Sequence, residues 1–340
     1  MNDVSPKERL LRVLQKKTVD RPPVICTGGM MNAAIVDVMN QTGHTLPEAH
    51  HDGQLMSALS YDVYENTGFE NFGIPFCMTV EAEVLGSEIN FGTLACEPKI
   101  EKEVFPSVAE VVYRDIKEAV RGGRIDTVAR AGYELSRKYP DIPVIGSLTG
   151  PISTAASIVD PIPFLKELRK DRANSHKVID YVSNFLIEYS RLLVENGASL
   201  ICIGDPTATG EILGPKMFEE YAVVYLNKVI DGIHALGVPV IVHICGNMRM
   251  VKHLIPGLKS DAISTDALVN LKQLKEEYPE LTTMGNLSTY LLEFGTSDKV
   301  SEQTERLVRD GIDIISPACG LSTSTSLENI NAMTGAVKEN

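Results

Sequence analysis

Three side chains with soft or borderline donor atoms stand at the ends of apolar runs. "VPVIVHICGN" ends in His243 and Cys245, "IDIISPACG" ends in Cys319, and a glycine follows each cysteine. Residues two apart on a strand project to the same side, so His243 and Cys245 can reach one point. One imidazole and two thiolates form a zinc set. Three protein ligands with an open fourth position are the catalytic arrangement, whereas structural zinc is usually closed by four. Thiolates disfavour Mg2+ and Ca2+. The same residues admit a second reading, as two core cysteines and a hydrogen-bonded histidine. Asp266, in "ISTDA" at the end of the next run, could fill the fourth position and be displaced by substrate, or could cap a loop. Zinc held by two thiolates is a mild Lewis acid that would lower the pKa of a bound substrate thiol and leave a nucleophile suited to soft electrophiles. Alkyl transfer to sulfur is the matching reaction class. Asp205, before Pro206, and Asn286, in "GNLST", end two further runs. Each is a candidate substrate contact and equally a turn residue.

These groups need elements that bring them together. From about residue 141 the chain alternates "IPVIGSLTGP", "ASLICIGDPT", "VPVIVHICGN", "DAISTDA", "LTTMGNLST" and "IDIISPACG" with helical stretches, several ending at a glycine such as Gly197, Gly237 or Gly311. Such a glycine is the C′ residue that stops a helix before the next strand. Runs apolar on both faces and alternating with helices predict a parallel sheet covered by helices. With "PPVICT" near the N-terminus there are about seven candidate strands. The expectation is an α/β protein, a (β/α)8 barrel forming one domain over 1–340, with an open doubly wound sheet as the alternative. Barrel active sites lie at the carboxyl ends of the strands, where Asp205, His243, Cys245, Asp266, Asn286 and Cys319 all fall. "SPKERLLRVLQ" opens with a capping box of Ser5 and Glu8 and has Pro6 at the first helical position. "SVAEVVYRDI" reads as a second capped helix, with Ser107 and Glu110 at the same spacing. Residues 68–105, rich in Gly, Phe and β-formers, read as hairpins and loops that elaborate the barrel.

Composition narrows the function. A net charge of −13 over 340 residues argues against nucleic acid and anionic lipid as partners. No apolar run reaches the roughly 18 residues of a membrane helix, and the N-terminus lacks the apolar core of a signal peptide. A cytoplasmic location is expected. Six cysteines in such a chain are small buried hydrophobes or ligands sooner than disulfides; Cys26 and Cys202, inside apolar runs, read as core.

"SPKERLLRVLQKKTVDRPPV" resembles the opening of the uroporphyrinogen decarboxylase superfamily, whose fold is a (β/α)8 barrel. "HICGN", the late "SPACGLSTSTSLENINAM", "YENTGFENFGIPFCMTVEAEVLGSEINFG" and "DPTATGEILGPKMFEEY" are similar to one branch, the zinc-dependent methylcobamide:coenzyme M methyltransferases of methylotrophic metabolism. The resemblance spans nearly the whole chain. It implies that His243, Cys245 and Cys319 hold zinc, that Asp266 takes a position where the family offers an acidic ligand when substrate is absent, and that methyl passes from a methylated corrinoid to the thiol of coenzyme M. It also implies that the corrinoid arrives on a separate small protein. "DGIHALG" departs from the D-x-H-x-x-G of corrinoid modules, and His234 reads as a surface-helix residue. The arginine-rich segment that follows the first strand in true decarboxylases is replaced by "CTGGMMNAA", so decarboxylation of a porphyrinogen is disfavoured. Other acceptors, homocysteine or tetrahydrofolate, and a non-catalytic corrinoid-binding module on the same barrel are the remaining alternatives. "GLSTSTSLENI" opens the last helix, whose N–H groups and hydroxyls could hold a sulfonate or serve as an ordinary cap; Arg249 reads as a surface residue.

Overall fold

A computed structural model describes residues 4–339. Nine strands occur among them: β1 (Phe72–Ile74), β2 (Glu88–Asn90), β3 (Lys99–Lys102), β4 (Val144–Thr149), β5 (Leu200–Gly204), β6 (Val240–Ile244), β7 (Ala262–Thr265), β8 (Thr283–Leu287) and β9 (Ile314–Pro317). Seven of them form one parallel sheet in the order β1-β4-β5-β6-β7-β8-β9, and β2 and β3 form a separate antiparallel hairpin. Residues of β4 to β9 are buried throughout. That is what a sheet with one face on the barrel axis and the other under helices demands.

The ring closes through the segment around Val24. On one side Val24 bridges Ile315 in parallel, the Ile25 N–H donates to the Ile315 carbonyl at 3.0 Å, and the Ile315 N–H donates to the Pro23 carbonyl at 2.9 Å. On the other side the Glu70 N–H donates to the Val24 carbonyl at 2.8 Å. The Asn71 side-chain amide makes two bonds to the Cys26 backbone, at 2.9 and 2.8 Å. A side-chain amide thus completes the ladder where β1 is too short to do so. "PPVICT" is the eighth stave, and the architecture is the (β/α)8 barrel.

Local sequence explains most elements. Ser5 accepts the Glu8 N–H at 3.2 Å and Pro6 opens the helix Pro6–Leu14. Gly197, Gly237 and Gly311 take φ of +99°, +85° and +74° just past their helices, a conformation that a Cβ disfavours.

Two expectations need correction. "SVAEVVYRDI" forms a single 3-10 turn, Val108–Glu110; Val111 is already extended, and the next helix, Ile116–Ala119, is capped by Asp115. The Val108 N–H goes to the Glu167 carboxylate at 2.9 Å, and Val111 is buried. Tertiary anchors and a β-branched Val-Val pair therefore prevail over the capping signal. The stretch 68–105 is also more than elaboration. It holds the barrel strand β1 and the helix Val80–Leu85, and only β2–β3 forms a hairpin. No helix among the described residues is long and apolar enough to cross a membrane.

Candidate metal centre

His243 ends β6, Cys245 lies just past it, and Cys319 follows β9. His243 Nε2 is 3.3 Å from Cys245 Sγ, and the two Sγ atoms are 3.8 Å apart. The three ligand atoms lie within 4.8 Å of one another. For a tetrahedral ion with metal–sulfur and metal–nitrogen bonds of the usual length, the S···S edge is about 3.8 Å and the S···N edge about 3.5 Å. The donor set and its spacing fit zinc. His243 is 1% exposed, while both cysteines are half-buried and open towards the barrel mouth. Gly246 is needed for its left-handed backbone and Gly320 for space. A Cβ at Gly246, where φ is +71°, would lie 2.5 Å from Glu211 Oε2, and one at Gly320 would lie 2.6 Å from the Met30 carbonyl oxygen.

The two thiols share charge. The hydrogen bond from the Cys245 thiol holds Cys319 below the ordinary thiol range. The same bond, burial and the nearby Asp266 carboxylate push Cys245 up. The first proton thus leaves the pair more easily than from a free cysteine, and the second less easily.

The other strand-end residues differ from one another. Asp266 is outside the ligand cluster: Oδ1 accepts the Leu268 N–H at 2.9 Å, and Oδ2 accepts the Gly246 N–H at 3.4 Å. The Asn286 amide donates at 2.8 Å to the carbonyls of both Asp266 and Val269, which pins the Asp266 loop. Asp205, expected at the substrate, is 0% exposed. Its carboxylate accepts the backbone N–H groups of Ile152 and Ser153 at 3.0 and 2.8 Å and the Ser153 hydroxyl at 2.6 Å, capping the helix Pro151–Ile158. Burial pushes its carboxyl up to about 6. The hydroxyls before the last helix are also engaged, because Ser322 and Ser324 both donate to Glu293 at 2.8 Å. The Leu327 N–H at that helix start goes to Asp37 at 3.1 Å. Carboxylates, not space for a sulfonate, occupy this end. His234 pairs with Asp261 at 2.8 Å on the outer surface, and Arg249 is exposed.

Three neighbours were not foreseen. Ser264, on β7 beside His243 in the parallel register, places Oγ 2.9 Å from His243 Nδ1. Its signal was a hydroxyl inside an apolar run, one strand from a histidine. Met30 and Met31 come from "CTGGMM"; Met30 Sδ lies 3.7 Å from Cys245 Sγ. Around the mouth, Ile212, Met250, Leu268, Tyr290 and Phe294 are exposed. They stand on the successive connections after β5, β6, β7 and β8. Across the mouth, Thr323 donates to the Ala95 carbonyl at 2.9 Å, tying the hairpin tip to the loop after Cys319.

The uroporphyrinogen decarboxylase (URO-D) family model matches residues 5–340. The chain is 33% identical to methylcobamide:CoM methyltransferase MtbA of Methanosarcina acetivorans, over 99% of both chains. It is 30% identical to methylcobamide:CoM methyltransferase MtaA of Methanosarcina barkeri (strain Fusaro), over 100% of this chain and 99% of that one. A solved methyltransferase from Methanosarcina mazei superposes with a TM-score of 0.92 at 29% identity, over 98% of each chain. With a barrel closed as described and a His–Cys–Cys cluster at its strand ends, the chain belongs to the uroporphyrinogen decarboxylase family, in the branch whose named members are methylcobamide:CoM methyltransferases.

Proposed function

We propose that this protein moves a methyl group from a methylated corrinoid to the thiol of coenzyme M, with zinc held by His243, Cys245 and Cys319. The observation that carries this reading is the convergence of those three ligand atoms within 4.8 Å at the barrel mouth, in a chain similar over its whole length to methylcobamide:CoM methyltransferases. Bound zinc supplies a charge that lowers the pKa of an incoming thiol, so that its sulfur is anionic at neutral pH. The chain's own groups do the rest. Cys319 and Cys245 offer their sulfurs as thiolates, and the pair gives up its remaining proton when both become ligands. Met30 lays a thioether against Cys245, an apolar wall that limits water around the reacting sulfur. Asp266 keeps a carboxylate one loop bond from the Cys245 strand end, where it can turn inward as a weak, displaceable ligand. Asn286 holds that loop in place.

The donor reading includes a carrier. The connections after β5 to β8 present Ile212, Met250, Leu268, Tyr290 and Phe294 to solvent, while the hairpin tip is tied to the loop after Cys319. Exposed apolar groups gathered around an active-site mouth mark a docking face, and a separate methylated corrinoid protein suits it. The absence of arginine from "CTGGMMNAA" remains the argument against a porphyrinogen substrate. We place the reaction in the cytoplasm, where the free cysteines stay reduced.

The test is metal analysis plus assay. Protein purified without added metal should carry about one zinc per chain. With methylcobalamin it should methylate coenzyme M in preference to homocysteine or tetrahydrofolate. Absence of zinc even after zinc is offered, or no methyl transfer to any thiol, overturns the reading. Preference for homocysteine would keep the chemistry and change the acceptor.

A further inference from the structure

We infer that Ser264 and Met31 act together as positioning residues that decide which nitrogen of His243 carries its proton. The inference rests on the zinc reading above, and it concerns two side chains that are not ligands.

The register of β6 and β7 sets His243 beside Ser264. The His243 Nδ1 to Ser264 Oγ distance is 2.9 Å, and the two residues are 1% and 0% exposed. No bulk water competes at that depth. A hydroxyl has one proton to give and two lone pairs to offer, and the heavy-atom distance alone leaves its direction open. The second neighbour of Ser264 Oγ gives its proton another acceptor. Met31 Sδ lies 3.9 Å away, and a thioether sulfur can accept but never donate. With the Ser264 proton directed at Met31, the Ser264 lone pair faces His243 and requires an N–H there. The His243 proton then sits on Nδ1. Nε2, which faces Cys245 Sγ at 3.3 Å, keeps its lone pair for the metal. In the reverse arrangement Ser264 would donate to Nδ1, the proton would move to Nε2, and an N–H would project into the space the metal needs.

Met31 is held firmly enough to act this way. It is 1% exposed. Its carbonyl accepts the Cys26 thiol at 2.8 Å, and it exchanges backbone bonds with Gly28 at 2.9 and 3.1 Å. Gly28 has φ of +86°, and a Cβ there would lie 2.6 Å from the Gly73 backbone. The glycines of "CTGGMM" thus let the loop sink until the Met31 sulfur reaches Ser264.

A histidine ligand usually gives its other N–H to a carboxylate or a backbone carbonyl. A hydroxyl fixes the same tautomer without adding charge. Two thiolates and a neutral imidazole then balance a divalent ion, and the charge of an incoming thiolate is not opposed by a second buried anion behind the histidine.

Two measurements test this. In metal-free protein carrying 15N-histidine, long-range 1H–15N correlation spectra should show His243 as the Nδ1–H tautomer. Ser264→Ala should shift it towards Nε2–H. Zinc affinity, read by competition with a chromophoric chelator, should fall about 10- to 100-fold in Ser264→Ala, with the melting temperature checked alongside. Ser264→Thr, which keeps the hydroxyl, should restore affinity to within about threefold of wild type, and Met31→Leu, which keeps the volume and loses the acceptor, should fall between the two. If Ser264→Ala does not fold, Ser264→Cys, with a poor acceptor of similar size, is read in the same way. Unchanged tautomer and unchanged affinity in the Ser264 variants overturn the inference while leaving the zinc site standing. Wild-type protein that binds no zinc overturns the functional reading, and the spectrum of the metal-free protein still decides the tautomer.

Discussion

The end of β5 and the ends of β6 and β9 carry polar side chains at the same rim of one barrel, and they satisfy them in opposite ways. Both Asp205 oxygens accept from the chain itself: two backbone N–H groups and one hydroxyl. At β6 and β9, His243 Nε2 and the two sulfurs face one another at 3.3 and 3.8 Å. Asp205 therefore has its bonds filled within the fold, whereas the His–Cys–Cys donor atoms converge on one another. A polar residue at a strand end does not by itself announce chemistry. Lone pairs that converge without donors do.

Removing a member of the cluster should give the largest effect. A four-ligand zinc site is worth about 10–16 kcal/mol in all, so one ligand accounts for about 3–4 kcal/mol. Cys319→Ala and Cys245→Ala should each weaken zinc by about two to three orders of magnitude and abolish methyl transfer, while the melting temperature of metal-free protein changes little. A Cys319→Ala protein that binds zinc as tightly as wild type would remove the contrast with Asp205.

Asp205→Asn should do the reverse. An amide offers one oxygen where the carboxylate offers two, and both Asp205 oxygens meet backbone N–H groups. One buried N–H must therefore face an NH2 group in either orientation. Lost capping and an unmet buried donor together cost about 2–3 kcal/mol, read from urea unfolding. Zinc stoichiometry in the folded fraction should be unchanged. A fully stable Asp205→Asn protein with altered coenzyme M affinity would return Asp205 to the substrate site.

Much of this was legible in the chain. Runs apolar on both faces, each followed by a helix and a C′ glycine, give β4 to β9, and the strand ends pick out His243, Cys245 and Cys319. What escaped was decided by contacts distant in sequence. β1 is three residues long beside a proline, too short for any period to register, and it is a stave because Val144 to Gly146 pair with it. The turn at Val108 yields to a carboxylate 59 positions away. Met30 reaches Cys245 from 215 positions away. A residue's type shows what it could do, but whether its bonds are already filled depends on partners that periodicity does not reveal.

Proton inventory sharpens the contrast at a smaller scale. The bond between the two thiols eases loss of their first proton and holds back the second, so zinc must displace about one proton. Its affinity should rise about tenfold per pH unit between roughly pH 6 and 8. At lower pH, where the more easily ionised thiol also takes up a proton, the slope should steepen towards two protons. Chelator competition across pH measures this, and a flat profile would mean that both thiols are ionised before metal arrives.

Asp266 stands between the two cases, and its variant should give the smallest effect. Its oxygens accept backbone N–H groups, as those of Asp205 do, but one of these bonds is long and the residue is partly exposed, and its charge is felt at Cys245. To reach a metal it must release the Gly246 N–H, whose 3.4 Å bond is weak. A carboxylate gained at that cost is a poor ligand and an easily displaced one. Asp266→Asn should therefore raise the zinc dissociation constant by about three- to tenfold, far less than Cys319→Ala, since part of the lost ligation is returned by easier ionisation of Cys245. Coenzyme M should bind the variant at least as tightly, because no carboxylate has to leave. A loss beyond about a hundredfold would make Asp266 a full ligand and move it to the side of His243. No change in either affinity would place it with Asp205.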